Sequence, residues 1–143
     1  MAEDCFALKI LTAEKTFYDG ECVSLIIPTS EGMYGIEAHH INLVAAVAPG
    51  VITIRTANES FYASVGSGIL KVENNTVLIL AETAEHPEEI DKARALHAAE
   101  EAREALLHKE NSKEFKEAKL RLARELGRLD AIRHEENHGS ISS

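Results

Sequence analysis

The chain has 143 residues, with 24 acidic and 15 basic side chains and a formal net charge of −9. This length suits one domain with an appendage or one compact unit, and the acidic balance makes nucleic acid a poor partner. No stretch approaches the roughly 18 consecutive apolar residues of a membrane-spanning helix, and residues 1–4 lack the basic start of a secretory signal. The spacing of Cys5 and Cys22 indicates a reducing compartment rather than a disulfide framework.

The sequence changes character at His86-Pro87. Before this point, short apolar runs rich in β-branched and aromatic residues alternate with turn signals about every ten residues. After it, about fifty residues dominated by Ala, Leu, Glu, Lys and Arg repeat with a period near 3.6. We therefore predict an α+β protein with a β-sandwich or barrel in residues 1–86, a two-helix hairpin in residues 87–136 and a flexible tail in residues 137–143.

The first predicted strands surround a turn signal. Residues 6–12 alternate well enough for an opening strand, and Asp19-Gly20 is a hairpin-type turn signal. A second strand over residues 21–27 places its alternate apolar side chains on one face, and Cys22 within it is expected in the core. Pro28 is expected to end this strand, because proline cannot donate to a sheet ladder.

The last predicted strands form a hairpin. Residues 69–73 and 76–81 flank Asn74-Asn75, which suits a type I′ turn because asparagine tolerates a positive φ. Just before them, Gly66-Ser67-Gly68 indicates a bulge or a close approach between two backbones.

Two helices are predicted after Pro87, which is favourable in a first helical turn. The first spans about residues 88–107 and has a thin contact face made of alanine. The second spans about residues 113–133 and contains an internal Gly127 that costs about 1 kcal/mol against alanine. Its apolar stripe consists of Phe115, Ala118, Leu122, Leu126 and Leu129. This pattern predicts weak packing, so the hairpin is a candidate for opening, and the tail from residue 134 is expected to fray.

The residue pattern does not argue for catalysis. Adjacent histidines at 39 and 40 would point apart on a strand, and His134 and His138 have helical spacing but lack a third ligand. No Ser-His-Asp order, nucleophile elbow or P-loop occurs. We therefore predict no metal site and no catalytic residue, while a metal-dependent enzyme and a free-standing adaptor remain the competing hypotheses.

Several short motifs occur in a familiar order along the chain. They are Phe17-Tyr18-Asp19-Gly20-Glu21, Glu31-Gly32-Met33-Tyr34-Gly35-Ile36, His40, Leu43, Pro49-Gly50-Val51, Gly68-Ile69-Leu70 and Leu80-Ala81-Glu82-Thr83-Ala84-Glu85. Over about residues 5–133, this set closely resembles the epsilon subunit of bacterial and chloroplast F-type ATP synthases. The chain departs from that pattern at Ala38-His39, Asn42 and Gly66-Ser67-Gly68, which affects loop geometry rather than membership.

The resemblance implies a ten-stranded β-sandwich followed by an antiparallel helical hairpin, acting in the central stalk. Such a subunit binds gamma, sits on the ring of membrane c subunits and rotates with them without an active site. We expect a non-catalytic subunit of a proton-translocating synthase, peripheral at the cytoplasmic face of the bacterial cell membrane and linked to the membrane only through the complex. Its expected contacts with gamma and the c-ring are Glu31, Gly32, Met33, Tyr34, Gly35, His40 and Leu43.

The resemblance also implies a regulatory hairpin. In many bacterial members the hairpin extends along gamma into the alpha/beta head and blocks ATP hydrolysis. The residues that would then meet acidic segments of the beta subunits are Lys116, Lys119, Arg121, Arg124 and Arg128. An ordinary solvated helix face explains the same charges equally well.

Some bacterial members bind ATP on the folded hairpin, through a motif that this chain matches from Ile90 to Ala95. The residues carried over are Glu85, Ile90, Asp91, Arg94, Arg124 and Arg128. However, Glu101 stands where those binders place a basic residue, which predicts weak or absent ATP binding, with ATP at most a weak regulatory ligand. The alternatives are ordinary helix-start chemistry at Asp91 and, for the protein as a whole, an ATP-sensing module.

Overall fold

The computed structural model describes the backbone of residues 4–108 and 112–142 and the side chains of residues 4–107 and 113–137. The strands are β1 (Phe6–Leu11), β2 (Thr16–Cys22), β3 (Ser24–Thr29), β4 (Gly32–Glu37), β5 (Leu43–Val47), β6 (Gly50–Arg55), β7 (Ser60–Val65), β8 (Gly68–Glu73), β9 (Thr76–Ala81) and β10 (Ala84–Glu85). A 3-10 turn at Pro87–Glu89 leads into the helices α1 (Lys92–His108) and α2 (Ser112–Ser142). The predicted α+β fold, a sandwich of ten strands followed by two helices, is confirmed.

The sheet folds over on itself at β3. Its strand order is β10-β7-β6-β3-β5-β8-β9-β1-β2, with β4 paired to β3. Within β3, Ser24, Leu25 and Ile26 pair with β6, and Thr29 pairs with β5. Pro28 lies between these two pairings, so it ends the pairing with β6 but does not end the strand as predicted. One core therefore lies between the two halves of a nearly closed sandwich.

Alternation along the strands builds this core. In β1, Phe6, Leu8 and Ile10 are buried while the residues between them face outward. The predicted core position of Cys22 is confirmed, since it is fully buried, and burial raises the pKa of its thiol. The same alternation leaves the outer faces of the sheet available to the hairpin and to other contacts.

The two predicted turns have different outcomes. Asn74 and Asn75 have φ values of 51° and 60°, which confirms a turn with two left-handed residues between β8 and β9. The turn predicted at Asp19-Gly20 is wrong, because β2 runs straight through it in register with Lys9 and Leu8. The chain turns earlier, at Thr12, whose hydroxyl oxygen accepts from backbone N–H groups two and three residues later.

A close backbone approach at Gly68 is confirmed. A Cβ added at this residue would lie 2.0 Å from the carbonyl oxygen of Leu80 on β9. Only glycine allows the start of β8 to pair with β9 at this distance.

Both helix boundaries differ from prediction. α1 begins at Lys92 rather than near residue 88, because the 3-10 turn and the extended Ile90 precede it. The end predicted for α2 near residue 133 is wrong, since its backbone is helical to Ser142. The His134 ring packs at 5.1 Å from Tyr62 of β7, and Ala131 is fully buried. These tertiary contacts lengthen a helix whose polar end was expected to fray. The flexible tail predicted over residues 137–143 is also wrong for residues 137–142, because their backbone is helical.

The hairpin contacts the sandwich mainly through α2. This helix packs against β6 and β7, whereas α1 packs mainly against α2 through the buried alanines 95, 99 and 102. Phe115 and Leu126 of the predicted apolar stripe are each 42% exposed. Within the described ranges, neither helix combines the length and apolar character needed to cross a membrane.

Gly127 is a contact point rather than the weak point predicted from its helix propensity. A Cβ added to this buried residue would lie 3.0 Å from the Cα of Gly50 on β6. Two glycines thus let the helix backbone lie directly on a strand backbone.

Candidate functional site

A cleft of about 380 Å³ between the hairpin and the sandwich brings together most of the residues predicted to bind ATP. Five of those six residues line it: Glu85, Ile90, Asp91, Arg94 and Arg128. The sixth, Arg124, lies outside this lining and donates from one guanidinium nitrogen to Glu82 Oε1 over 2.9 Å. The cleft is therefore the candidate site of the hairpin domain.

One wall of the cleft is the connection between the two domains. The backbone N–H of His86 donates to Glu89 Oε1 over 2.9 Å, which closes the 3-10 turn. Ile90 is extended and directs the chain into α1. Asp91 then caps that helix, because the backbone N–H of Arg94 donates to its Oδ1 over 3.1 Å. Helix-start chemistry, the alternative for Asp91, is thus present in the structure.

Arg128 is the best-connected charge in the cleft. Its Nε donates to Glu85 Oε1 over 2.6 Å, and a terminal nitrogen donates to Glu125 Oε2 over 2.5 Å. Burial by itself would lower the pKa of Arg128, but its hydrogen bonds and charge contacts with the two carboxylates outweigh burial and raise that pKa. The guanidinium therefore stays charged and joins the sandwich to α2.

The charges lining the cleft favour cations over anions. Four carboxylates, those of Glu85, Glu89, Asp91 and Glu125, face two guanidinium groups. Arg128 is already engaged by two of these carboxylates, while Arg94 makes no ion pair among the described residues. Phosphate recognition requires converging positive charge, so this arrangement opposes a polyphosphate.

Glu101, the residue expected to repel phosphate, does not line the cleft. Its side chain is 61% exposed and lies 3.4 Å from His97 Nε2 on the outer side of α1. Inside the cleft, Glu89 and Glu125 add their carboxylates to those of Glu85 and Asp91, which the resemblance had already supplied. The expectation of weak ATP binding therefore rests on different residues from those that suggested it.

Sequence reasoning missed Glu82 and Glu125 as partners of the two arginines. Glu125 precedes Arg128 by three residues on one helix, so helical spacing was a usable signal. Glu82 is 42 residues from Arg124 in sequence, and only the docking of α2 onto the sandwich brings them together.

The residues predicted to contact gamma and the c-ring lie on β4, in the turn before it and in the segment from the following loop to the start of β5. Glu31 lies in the turn before this strand, and His40 lies in the loop after it. Met33 is 62% exposed, whereas Leu43 and Tyr34 are half-buried against the core. The rings of Tyr34 and His40 meet edge-to-face at 5.4 Å. The predicted surface is thus an exposed strand with a turn at one end and a loop at the other.

The five basic residues of α2 that were predicted to meet the beta subunits fall into two groups. Lys116, Lys119 and Arg121 are exposed. Arg124 and Arg128 are bound to Glu82 and Glu85 on the sandwich side. In the folded hairpin, only the first group is available to another subunit.

Among residues 4–107 and 113–137, no three His, Cys, Asp or Glu side chains lie close enough together to bind a metal ion. His134 instead lies with Nδ1 2.8 Å from the carbonyl oxygen of Asp130. His138 belongs to the residues whose side chains are not described.

The geometry defines a two-domain protein in which a β-sandwich carries a docked hairpin, and comparisons with known proteins agree. Residues 5–87 match the family described as ATP synthase, Delta/Epsilon chain, beta-sandwich domain, and residues 88–133 match its long alpha-helix domain. The chain belongs to this delta/epsilon family of ATP synthase subunits. It is a non-catalytic subunit of that complex.

The similarity to curated relatives extends over nearly the whole chain. The chain is 38% identical over 126 residues to the ATP synthase epsilon chain of Ruminiclostridium cellulolyticum, and the match covers 88% of this chain and 94% of the relative. It is 35% identical over 141 residues to that of Caldicellulosiruptor bescii, covering 99% of this chain and all of the relative.

The fold itself recurs in a solved assembly. A chain in the mitochondrial ATP synthase of Euglena gracilis, from a structure of OSCP, F1 and the c-ring, matches with a TM-score of 0.78 and 21% identity. The match covers 90% of this chain and 81% of that one, and at this identity it shows a shared fold.

Proposed function

We propose that the chain is a central-stalk rotor subunit of a proton-translocating F-type ATP synthase, and that its hairpin inhibits ATP hydrolysis. The observation that carries the regulatory part is the manner of docking. α1 packs mainly on α2, and α2 meets the sandwich through a glycine contact and two arginine ion pairs. A hairpin held in this way can leave the sandwich without unfolding it.

The sandwich supplies assembly and coupling in this proposal. Its exposed strand around Met33, with the turn at Glu31 and the loop at His40, would face gamma and the c-ring. The assembled protein would then be peripheral at the cytoplasmic face of the bacterial membrane. Relatives named as ATP synthase epsilon chains support this assignment.

The hairpin supplies regulation. When α2 leaves the sandwich, Arg124 and Arg128 lose their partners Glu82 and Glu85 and join the exposed basic residues of α2. These basic residues would then meet acidic segments of the beta subunits, since complementary charge favours such contacts.

The experiment is a deletion of residues 88–143 in the assembled synthase. We expect the shortened chain to copurify with gamma, because the sandwich core does not depend on the hairpin. ATP hydrolysis should rise while coupling to proton movement is kept. Unchanged hydrolysis with normal assembly would contradict the inhibitory role, and failure of the intact chain to copurify with gamma would contradict the central-stalk role.

An ATP-sensing module is the second candidate, supported by the convergence of Glu85, Ile90, Asp91, Arg94 and Arg128 around one cleft. The four carboxylates of that cleft weigh against it. Calorimetric titration of the chain with ATP tests it, with Arg94→Ala as the comparison variant, because Arg94 lines the cleft. Saturable binding that the variant loses would support sensing; no binding at millimolar ATP would leave regulation to contacts with other subunits.

A further inference from the structure

Glu125 is the one charged residue that is buried within residues 4–107 and 113–137, at 6% exposure. A buried carboxylate is costly unless a positive group is hydrogen-bonded to it. Arg128, one helical turn later, meets this need over 2.5 Å. The buried charge therefore depends on Arg128 keeping its place.

Arg128 also reaches out of its own helix. Its Nε donates to Oε1 of Glu85 over 2.6 Å, and Glu85 belongs to β10, the last strand of the sandwich. The guanidinium thus joins Glu125 on α2 to Glu85, which lies 43 residues before Arg128 in the chain. Because both bonds are charge-assisted and partly shielded from water, they are stronger than surface ion pairs.

Two outer pairs support the same junction more weakly. Arg124 contacts Glu82 at 2.9 Å, but the Glu82 side chain is 57% exposed. Lys15 lies 3.8 Å from Glu89, and both side chains are about half exposed. Water and salt screen such pairs, so the junction depends chiefly on Arg128.

We propose that Glu85 and Glu125 act as built-in anions that occupy Arg128, so that ion pairs within the chain, rather than a bound phosphate compound, hold the hairpin on the sandwich. Glu85, Glu125 and Arg128 form an internal latch. An incoming polyphosphate would have to displace two carboxylates from Arg128 and face those of Glu89 and Asp91. The consequence for the complex rests on the proposed regulatory hairpin: its release would depend on breaking the internal latch.

The test is hydrogen exchange of the intact chain, followed by mass spectrometry, for wild type and Arg128→Gln. We expect α2 amides to exchange about tenfold faster in the variant, since hydrogen bonds to charged groups contribute that much or more. Amides of β1 and β9 should be unchanged. Arg121→Gln is the matched control, because Arg121 is exposed on the same helix and makes no ion pair among the described residues.

Two further variants keep the test decisive if Arg128→Gln disturbs the helix itself. Glu85→Gln changes only the sandwich partner and should accelerate α2 exchange while helical circular dichroism stays unchanged. The double variant Glu85→Gln/Arg128→Gln should exchange no faster than Arg128→Gln, because both changes remove the same contact.

Three results would overturn the latch. They are unchanged α2 exchange in Arg128→Gln, multiplied effects in the double variant, and slower α2 exchange of wild type on adding millimolar ATP. Each is measured on the chain alone. The latch can therefore fail while the central-stalk assignment stands, and the reverse is equally possible.

Discussion

The sandwich and the hairpin are held together by different kinds of contact. The sandwich core consists of large branched side chains such as Leu8, Ile52 and Ile79, each fully buried. Burial of one such side chain stabilises by about 1.5–3 kcal/mol. The α1–α2 contact instead buries alanines such as Ala99 and Ala102, whose single methyl groups contribute less. The sandwich can stand alone, whereas the hairpin depends on where it docks.

Charge follows the same division. The sandwich core contains no charged side chain among its described residues, while the hairpin junction depends on arginines placed between carboxylates. Apolar contacts in the sandwich are insensitive to pH and salt, but ion pairs are sensitive to both. A change of pH or salt concentration should therefore weaken the docking of the hairpin before it destabilises the sandwich.

The largest effect should come from Gly68→Ala in the sandwich. Its new Cβ would meet the Leu80 carbonyl oxygen at 2.0 Å, which the paired strands can relieve only by moving apart. We expect the free energy of unfolding in urea to fall by about 3 kcal/mol or more. Gly35→Ala is the control, since a Cβ there has open space. Equal losses in both variants would contradict the close-approach explanation.

Gly127→Ala should act on the hairpin and leave the sandwich intact. Alanine favours a helix by about 1 kcal/mol, but its Cβ would press on Gly50 at 3.0 Å, and overpacking costs about 1–3 kcal/mol. We expect faster hydrogen exchange in α2 with unchanged exchange in β1 and β9. If α2 became better protected instead, Gly127 would be a weak point of the helix after all.

A smaller effect is expected at the end of α2. His134→Ala removes the ring that packs on Tyr62, and aromatic contacts of this kind contribute about 0.5–1.5 kcal/mol. Amides beyond Ala131 should exchange several times faster. Glu136→Ala, an exposed position two residues on, should have no such effect. Identical behaviour of the two variants would mean that Tyr62 does not hold this segment.

The smallest effect concerns pH at the junction. The hydrogen bond from the His86 backbone is the main cause that lowers the pKa of Glu89 below its ordinary value of 4.5. Its contribution to stability is therefore complete above that value and is lost as the pH falls through the lower folded pKa. Since Glu89 is exposed, the contribution should be below about 1 kcal/mol.

Glu89→Gln should accordingly flatten the acid side of the unfolding profile slightly, as measured by urea unfolding at several pH values. Glu88→Gln changes an exposed neighbour that forms no hydrogen bond within the turn among the described residues, and it should leave that profile unchanged. If the profile of Glu89→Gln overlays that of the wild type, Glu89 does not contribute to the stability of the junction.

The candidate site was only partly predictable. A resemblance carried over along the sequence supplied five residues that line one cleft, because helix and turn positions follow chain order. It did not supply Glu125 or Glu82, whose role depends on which side of α2 meets the sandwich. It also assigned to Glu101 a repulsion of phosphate that the carboxylates lining the cleft, Glu89 and Glu125 among them, would exert instead.

The sequence by itself determined the kinds of element and their order. Alternating apolar residues, the Asn74-Asn75 turn and the 3.6-residue period after Pro87 depend on neighbours a few positions away, so they survive in any context. Tertiary structure decided where those elements lie and end. Pairing with β1 straightened Asp19-Gly20, Tyr62 lengthened α2, and docking placed Arg128 between two acids. Such contacts join residues far apart in sequence, and their energies depend on burial that only the folded chain creates.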